Sequence, residues 1–417
     1  MRTNWASLLL TLAVLSSTQA QEWTRFRGPN GQGRIETEGI PIQWTETDYA
    51  WKTALPHEGH SSPVLWGDMV FITCSDKPNA TGSVLGLNAN TGQIQWQKDY
   101  QLTEYPMNPL NTYAASTPAV DAHAVYVLWT TTAQFTLVKL DHHGNELWKK
   151  EYGPIDSKHG PCISPMLYQD MVIFTQESRE NTKGLGSRWL AVNKTDGTIR
   201  WQIKRDPTGT KNDYMTPCVY TDSLGKEQLI FSSQCNGVTG VDPISGKIIW
   251  EVPLSFQGRT ISSPVLADNL VIATDGSGTS GKVLAIVKAG NANQAGEILH
   301  RIETRLAPFI PTSIVIQNRL YTFHDAGEVV CWDIQNGKPI WQEKTRKRFY
   351  GSPIALGDHI YCITGKGEVL VLQAGDTFKL LATNPLGEKS QATPAVANGR
   401  LYLRTLTSLI CVPKTRQ

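Results

Sequence analysis

Long runs of one charge are absent from this 417-residue chain, in which 39 basic residues stand against 37 acidic ones for a formal charge of +2. No stretch holds five or six like charges in a row, so the chain offers no electrostatic track for nucleic acid. No apolar run reaches the roughly 20 residues that span a bilayer. Two consecutive cysteines, a CxxCH haem motif and a GxSxG nucleophile elbow are all missing. HEGH at 57–60 is one residue too short between its histidines for a zinc-protease HExxH. GSGTSGKV at 276–283 has Val283 where a phosphate loop needs a Ser or Thr, and it continues as a strand-like VLAIV. The seven cysteines are odd in number and irregularly spaced, which fits neither a disulfide framework nor a zinc site; they read as small buried hydrophobes.

What is present is turn and strand chemistry. Thirty-five glycines, 23 prolines, 13 tryptophans and 13 tyrosines, with only 18 % charged residues, describe a turn-rich β protein. The first residues carry Arg2, an apolar stretch from Trp5 to Leu15 and small residues up to Ala20. They read as a secretory signal cleaved near Ala20–Gln21, with no cysteine beside the cleavage point to carry a lipid. The expectation is a soluble exported protein, periplasmic or secreted, organised as a signal (1–20), an N-terminal arm (21–48) and one domain (49–417).

That domain is built from a repeat. GLNANTGQIQW (86–96), KLDHHGNELW (139–148), AVNKTDGTIRW (191–201), GVDPISGKIIW (240–250) and CWDIQNGKPIW (331–341) share one grammar: a strand, a Gly turn, and a strand that reaches a tryptophan. Upstream of each lies a small or polar residue, a proline and a strand, as in SSPVLWGDMVFIT (61–73) or GSPIALGDHIYCIT (351–364). With the variant FIPTSIVIQNRLYTF (309–323) there are eight such phrases. Their prolines, at 63, 118, 165, 217, 264, 311, 353 and 394, are 55, 47, 52, 47, 47, 42 and 41 residues apart, a period typical of propellers. Within a unit, apolar and polar residues alternate with the two-residue period of strands, and each unit has room for four. The eighth unit is one strand short. YAWKTAL (49–55) supplies the strand that completes it, so the fold class expected is an all-β, eight-bladed propeller of four-stranded antiparallel blades whose N-terminal strand closes the ring.

These phrases resemble the pyrroloquinoline-quinone-like (PQQ-like) propeller repeats, a superfamily that includes quinoprotein alcohol dehydrogenases and the BamB-type scaffold of outer-membrane protein assembly. WTRFRGPNGQG (23–33), then IPIQW and AWKTALP, is similar to the start of secreted bacterial proteins of that type. The resemblance implies a fold over the whole mature chain and leaves activity open. Its quinoprotein branch implies a vicinal disulfide beside the quinone and Ca²⁺ held by Glu, Asn and Asp, and the chain has no matching motif. No catalytic residue, metal or cofactor is therefore expected; weak PQQ binding without turnover is compatible, through Arg259, Arg348 and Lys389.

In such a propeller the strand after each proline is innermost, so the residues just before it ring one mouth of the central channel. The candidate ligand-binding set is His60, Tyr113, His159, Tyr214, Arg259, Arg348, Tyr350 and Lys389, with His57, Glu58, Asn111, Asp213, Phe309 and Gln391 nearby. A ring of His, Arg and Tyr suits an anionic or sugar-like ligand. The function read from this is a monomeric, non-catalytic, exported binding or scaffold protein whose partners are envelope or secreted proteins. A small-ligand or glycan binder using the funnel and a PQQ-dependent dehydrogenase are the alternatives. A scaffold predicts exposed apolar surface on the loops between blades, and a ligand binder predicts a deep polar pocket at one mouth.

Overall fold

The structure is a computed structural model, and it describes residues 22–105, 107–157, 160, 163–178, 186–205, 212–278 and 280–415. The signal-like segment, His159 and Cys162 lie outside these residues. Eight sheets stand around one axis. Blade 1 consists of Val64–Trp66, Met69–Asp76, Thr81–Asn88 and Ile94–Gln101, antiparallel throughout and numbered from the centre outward. The innermost strands of blades 2 to 8 are Ala119–Val120, Met166–Tyr168, Cys218–Thr221, Val265–Ala267, Ile314–Ile316, Ile354–Leu356 and Ala395–Ala397. The only helical turns among the described residues are 3₁₀ turns at Pro29–Gly31 and Glu46–Asp48.

Blade 8 is completed from the other end of the chain. Trp51–Ala54 pairs antiparallel with Ser408–Val412, Trp51 opposite Cys411 and Ala54 opposite Ser408, as YAWKTAL predicts. The ring therefore has no open edge at its seam. Blade 7 gains a fifth strand, because Arg34–Ile35 runs parallel to Ile354–Leu356 on its channel side.

Burial explains the sequence pattern. Middle strands such as Val125–Thr130 are buried along their whole length, since neighbouring blades cover both faces, and they read as continuous apolar runs. Outer strands such as Ile94–Gln101 keep one face in solvent and alternate. The core lies between blades: one cluster joins Phe71 and Val84 of blade 1 to Val125 and Val138 of blade 2, and similar clusters repeat around the ring.

The recurring Gly-turn and tryptophan form a clasp between blades. The indole N–H of Trp96 donates to the His142 carbonyl of blade 2 at 2.7 Å, that of Trp148 to Lys194 of blade 3 at 3.0 Å, and that of Trp201 to Pro243 of blade 4 at 3.0 Å. Trp51 does the same across the seam, to Ala89 of blade 1 at 3.1 Å. The hairpin glycine of the next blade lies against the ring. A Cβ on Gly144 would come within 2.7 Å of Trp96, and one on Gly246 within 2.8 Å of Trp201; both glycines also have positive φ. Blade 5 lacks the tryptophan, and His300 takes its place, with Nε2 2.7 Å from the Gln335 carbonyl and its ring against Gly337 of blade 6.

The second phrase forms a ring of its own. The residue two positions before each innermost strand carries a hydroxyl, and seven of the eight accept the backbone N–H of their counterpart one blade earlier. Ser62 donates to Thr117, Thr117 to Ser164, Thr216 to Ser263, Ser263 to Thr312, Thr312 to Ser352, Ser352 to Thr393, and Thr393 back to Ser62, all at 2.9–3.1 Å. Proline in the next position holds its predecessor extended and brings no N–H that would need a partner facing the channel. Blade 6 departs from the expected register. Its ring residue is Thr312, followed by Ser313 where the others have proline, so Pro311 sits two positions early and the steps there are 49 and 40 residues.

Candidate functional site

Because each blade's strands alternate in direction, the crossovers between blades and the second-to-third hairpins share one end of the ring, and the Trp hairpins share the other. The channel between the ends is stoppered by the arm. Trp23 and Thr24 pair with Leu65 and Val120 of blades 1 and 2. Arg25 donates to the Pro217 carbonyl at 2.6 Å, Asn30 exchanges two 2.7 Å hydrogen bonds with Val219, and the Gln32 side chain accepts from Leu266 at 2.8 Å. Arg27, fully buried, donates through Nη2 to Ser313 at 2.8 Å, with Gln32 and Pro353 carbonyls at 3.2 and 3.4 Å. Burial lowers its pKa to about 9, so the guanidinium stays charged at neutral pH. The stretch from Trp23 to Gln32 is thus a plug tied to six of the eight blades, at or beside their innermost strands.

Above the plug, Phe26, the Ser/Thr ring, His60, Tyr214, Tyr350 and Gln391 enclose a cavity of about 110 Å³. Beyond it, a larger cavity of about 790 Å³ opens at the crossover end, between the loops of blades 6, 7 and 8 and the crossover into blade 2. His60, Arg348, Tyr350 and Lys389 of the expected set line it, joined by Arg346, Lys366, Glu58 and Leu110. Leu110 is 57 % exposed, yet its carbonyl lies 3.0 Å from His60 Nε2 and accepts from Gln391 Nε2 at 3.3 Å. The crossover therefore leans over the mouth from a fixed footing.

The remaining expected residues fall elsewhere. Tyr113 is buried between blades 1 and 2, edge-on to Tyr105 at 5.7 Å, because the long crossover folds back over it. Tyr214 lines only the inner cavity, where its hydroxyl is 3.1 Å from that of Ser157. Arg259 is tied by its backbone to Gly276 and lines neither cavity. His60 brings no charge to the mouth at neutral pH: burial, with Arg404 and Lys77 nearby, lowers its pKa to about 4. Asp213 is buried and accepts the N–H groups of Gln234 and Thr260; burial, then Glu177, pushes its carboxyl up to about 7. It braces the loops and does not reach the ligand space.

Of the two surface expectations, a pocket does open at one mouth, but polar and apolar residues share its wall. Exposed apolar residues on the crossovers reduce, among the described residues, to Leu110; Leu147, Ile199, Ile244, Ile248, Ile298 and Leu380 lie on outer strands or at the hairpin end. Arg346, Lys366 and Leu110 also line this pocket, at positions that the repeat does not mark. Arg346 stands two residues upstream of Arg348, and Lys366 lies on a second-to-third hairpin, which strand alternation places at the same end as the crossovers.

The family described as outer membrane protein assembly factor BamB matches residues 44–128, 80–316 and 303–405. The chain belongs to the BamB family. Among solved structures, BamB from Moraxella catarrhalis shares 14 % identity with it at a TM-score of 0.63, over 88 % of this chain and 98 % of that one. Quinohemoprotein alcohol dehydrogenase from Comamonas testosteroni shares 12 % at 0.64, over 95 % and 81 %. The computationally designed Ika8 protein shares 10 % at 0.59, over 86 % and 98 %. No curated protein sequence matches the chain. At these identities the likeness is one of fold, which an assembly factor, an oxidoreductase and a design all use.

Proposed function

We propose that this BamB-family propeller is a non-catalytic binding scaffold of the cell envelope, exported by its signal-like N-terminus, that engages protein partners through the crossover end. One observation carries the reading. The channel is stoppered by the protein's own arm, and the space left open is a broad pocket on the loop surface with a fixed, exposed Leu110 at its edge. A rigid scaffold that presents loops in this way is suited to recognition.

The quinoprotein alternative asks for a donor set. Among the described residues no group of three or more His, Cys, Asp or Glu side chains lies close enough to hold a metal, and Cys74, Cys218, Cys331, Cys362 and Cys411 are free and far apart in sequence. Phe26, Arg25 and Arg27 occupy the channel below the ring. These residues do not fit a quinone with its calcium. No helix among the described residues is long and apolar enough to cross a membrane.

The test is turnover. Purified mature protein incubated with PQQ and Ca²⁺ is expected to reduce an electron-accepting dye at the background rate whether or not alcohols or sugars are present. Substrate-dependent reduction that disappears when Arg348 and Lys389 are replaced together by alanine would overturn the proposal.

A further inference from the structure

Four cations line the mouth pocket without a partner. Arg346 and Arg348 lie on the crossover into blade 7, Lys366 on the second-to-third hairpin of that blade and Lys389 on the crossover into blade 8. Among the described residues none of the four makes an ion pair or a side-chain hydrogen bond. Their neighbour shows what the same loop does when a charge is satisfied: the Lys347 ammonium contacts both carboxylate oxygens of Glu368, at 2.6 and 2.7 Å. The other nearby acid, Glu388, is taken by the Thr405 and Thr407 hydroxyls and the Thr407 N–H. Glu58 alone remains to oppose four positive charges. Like charges held in one concave site repel each other and focus a positive field outward, and an arriving anion relieves both.

Part of the remaining wall is apolar. Pro109, Leu110, Leu406 and the Tyr350 ring face the same cavity. Leu110 is held in place by the contacts of its carbonyl with His60 and Gln391, and the next carbonyl, that of Asn111, accepts from Lys77 Nζ at 3.1 Å. An exposed leucine on a fixed backbone loses little freedom when covered, so its burial adds affinity. Inorganic anions would satisfy the cations and leave this wall wet. A volume of about 790 Å³ is large enough for a short stretch of polypeptide with several carboxylates and one apolar side chain.

We infer that the mouth pocket is the docking site for an acidic, extended peptide segment of a partner protein, its carboxylates against Arg346, Arg348, Lys366 and Lys389 and one apolar side chain against Leu110. This rests on the scaffold reading and gives it a partner chemistry.

Fluorescence anisotropy on the full mature chain tests it, with a labelled ten-residue peptide of Asp and Glu carrying one central Leu, and the same peptide with Asn and Gln in place of the acids. The acidic peptide is expected to bind at low salt and weaken as salt rises. Joint replacement of Arg348 and Lys389 by Gln should weaken it tenfold or more, and Leu110→Ser severalfold. All three positions are exposed, so melting temperatures should hold. Lys247→Gln with Lys338→Gln, at the hairpin end, should change nothing. Equal binding of the neutral peptide, or full affinity in the Arg348/Lys389 variant, overturns the inference. So does citrate competing as well as the peptide while Leu110→Ser is neutral, since that describes a small-polyanion site. Each failure leaves the scaffold reading standing, because a partner could still be crosslinked at Leu110.

Discussion

A chain that begins at residue 57 is expected to aggregate, or to melt at least about 5 °C below a chain that begins at residue 22. Two independent losses produce this. Removing Trp51–Ala54 leaves Ser408–Val412 as an unpaired edge, a ready template for pairing with another chain. Removing the plug breaks hydrogen bonds to six of the eight blades and leaves the channel's apolar and carbonyl groups without their partner. A combined loss of several kcal/mol shifts the midpoint of a domain this size by roughly 1 °C per kcal/mol. A second truncation separates the two: starting at residue 44 keeps the closing strand and removes the plug. It should stay monomeric and melt between the other two. If the chain starting at 57 is monomeric with an unchanged midpoint, the ring is not closed as described.

Replacing Trp250 with alanine is expected to cost about 3–5 kcal/mol, the range for emptying a large aromatic from a core. Trp250 is only 4 % exposed, and its indole N–H donates to Gln228 at 2.6 Å. The Gln228 amide in turn donates to Asp222 and to the Gly290 carbonyl of blade 5, so the substitution empties space and also leaves a buried acceptor unpaired. Gly240, Gly290 and Gly296 are all shaped around this ring and cannot close over its absence. Trp148, at the same place in blade 2, is only half-buried and bonds directly to the next blade, so Trp148→Ala should cost clearly less. Denaturant melts of the two variants decide the matter. Equal costs, or a neutral Trp250→Ala, would contradict the packing assigned to the clasp.

Much of this architecture was legible in the sequence because its signals are local. A Gly turn followed by a strand and a tryptophan occupies a dozen residues, and repetition makes it visible. The hydroxyl ring was written in the same way, as a Ser or Thr before proline, though its hydrogen bonds join consecutive blades. The arm was not legible, because what gives RFRGPNG its role is contact with carbonyls 192 and 286 residues away. His300 standing in for a tryptophan and Ser313 for a proline were hidden for a related reason: each keeps the geometry while changing the letter. At the mouth, charge was readable as composition but its placement was not. Tyr113 and Arg259 have the right spacing before a strand, yet packing turns one into the core and leaves the other outside both cavities, while Arg346 and Lys366 arrive from positions the repeat did not mark.

The crossover end is the face expected to meet a partner. The direct test of this places a photocrosslinking amino acid at Leu110 in the full-length protein, and another at Ile244 on the hairpin end, with irradiation in intact cells. A discrete adduct of defined mass is expected from position 110 and none from position 244. An adduct from 244 with none from 110 would contradict that expectation.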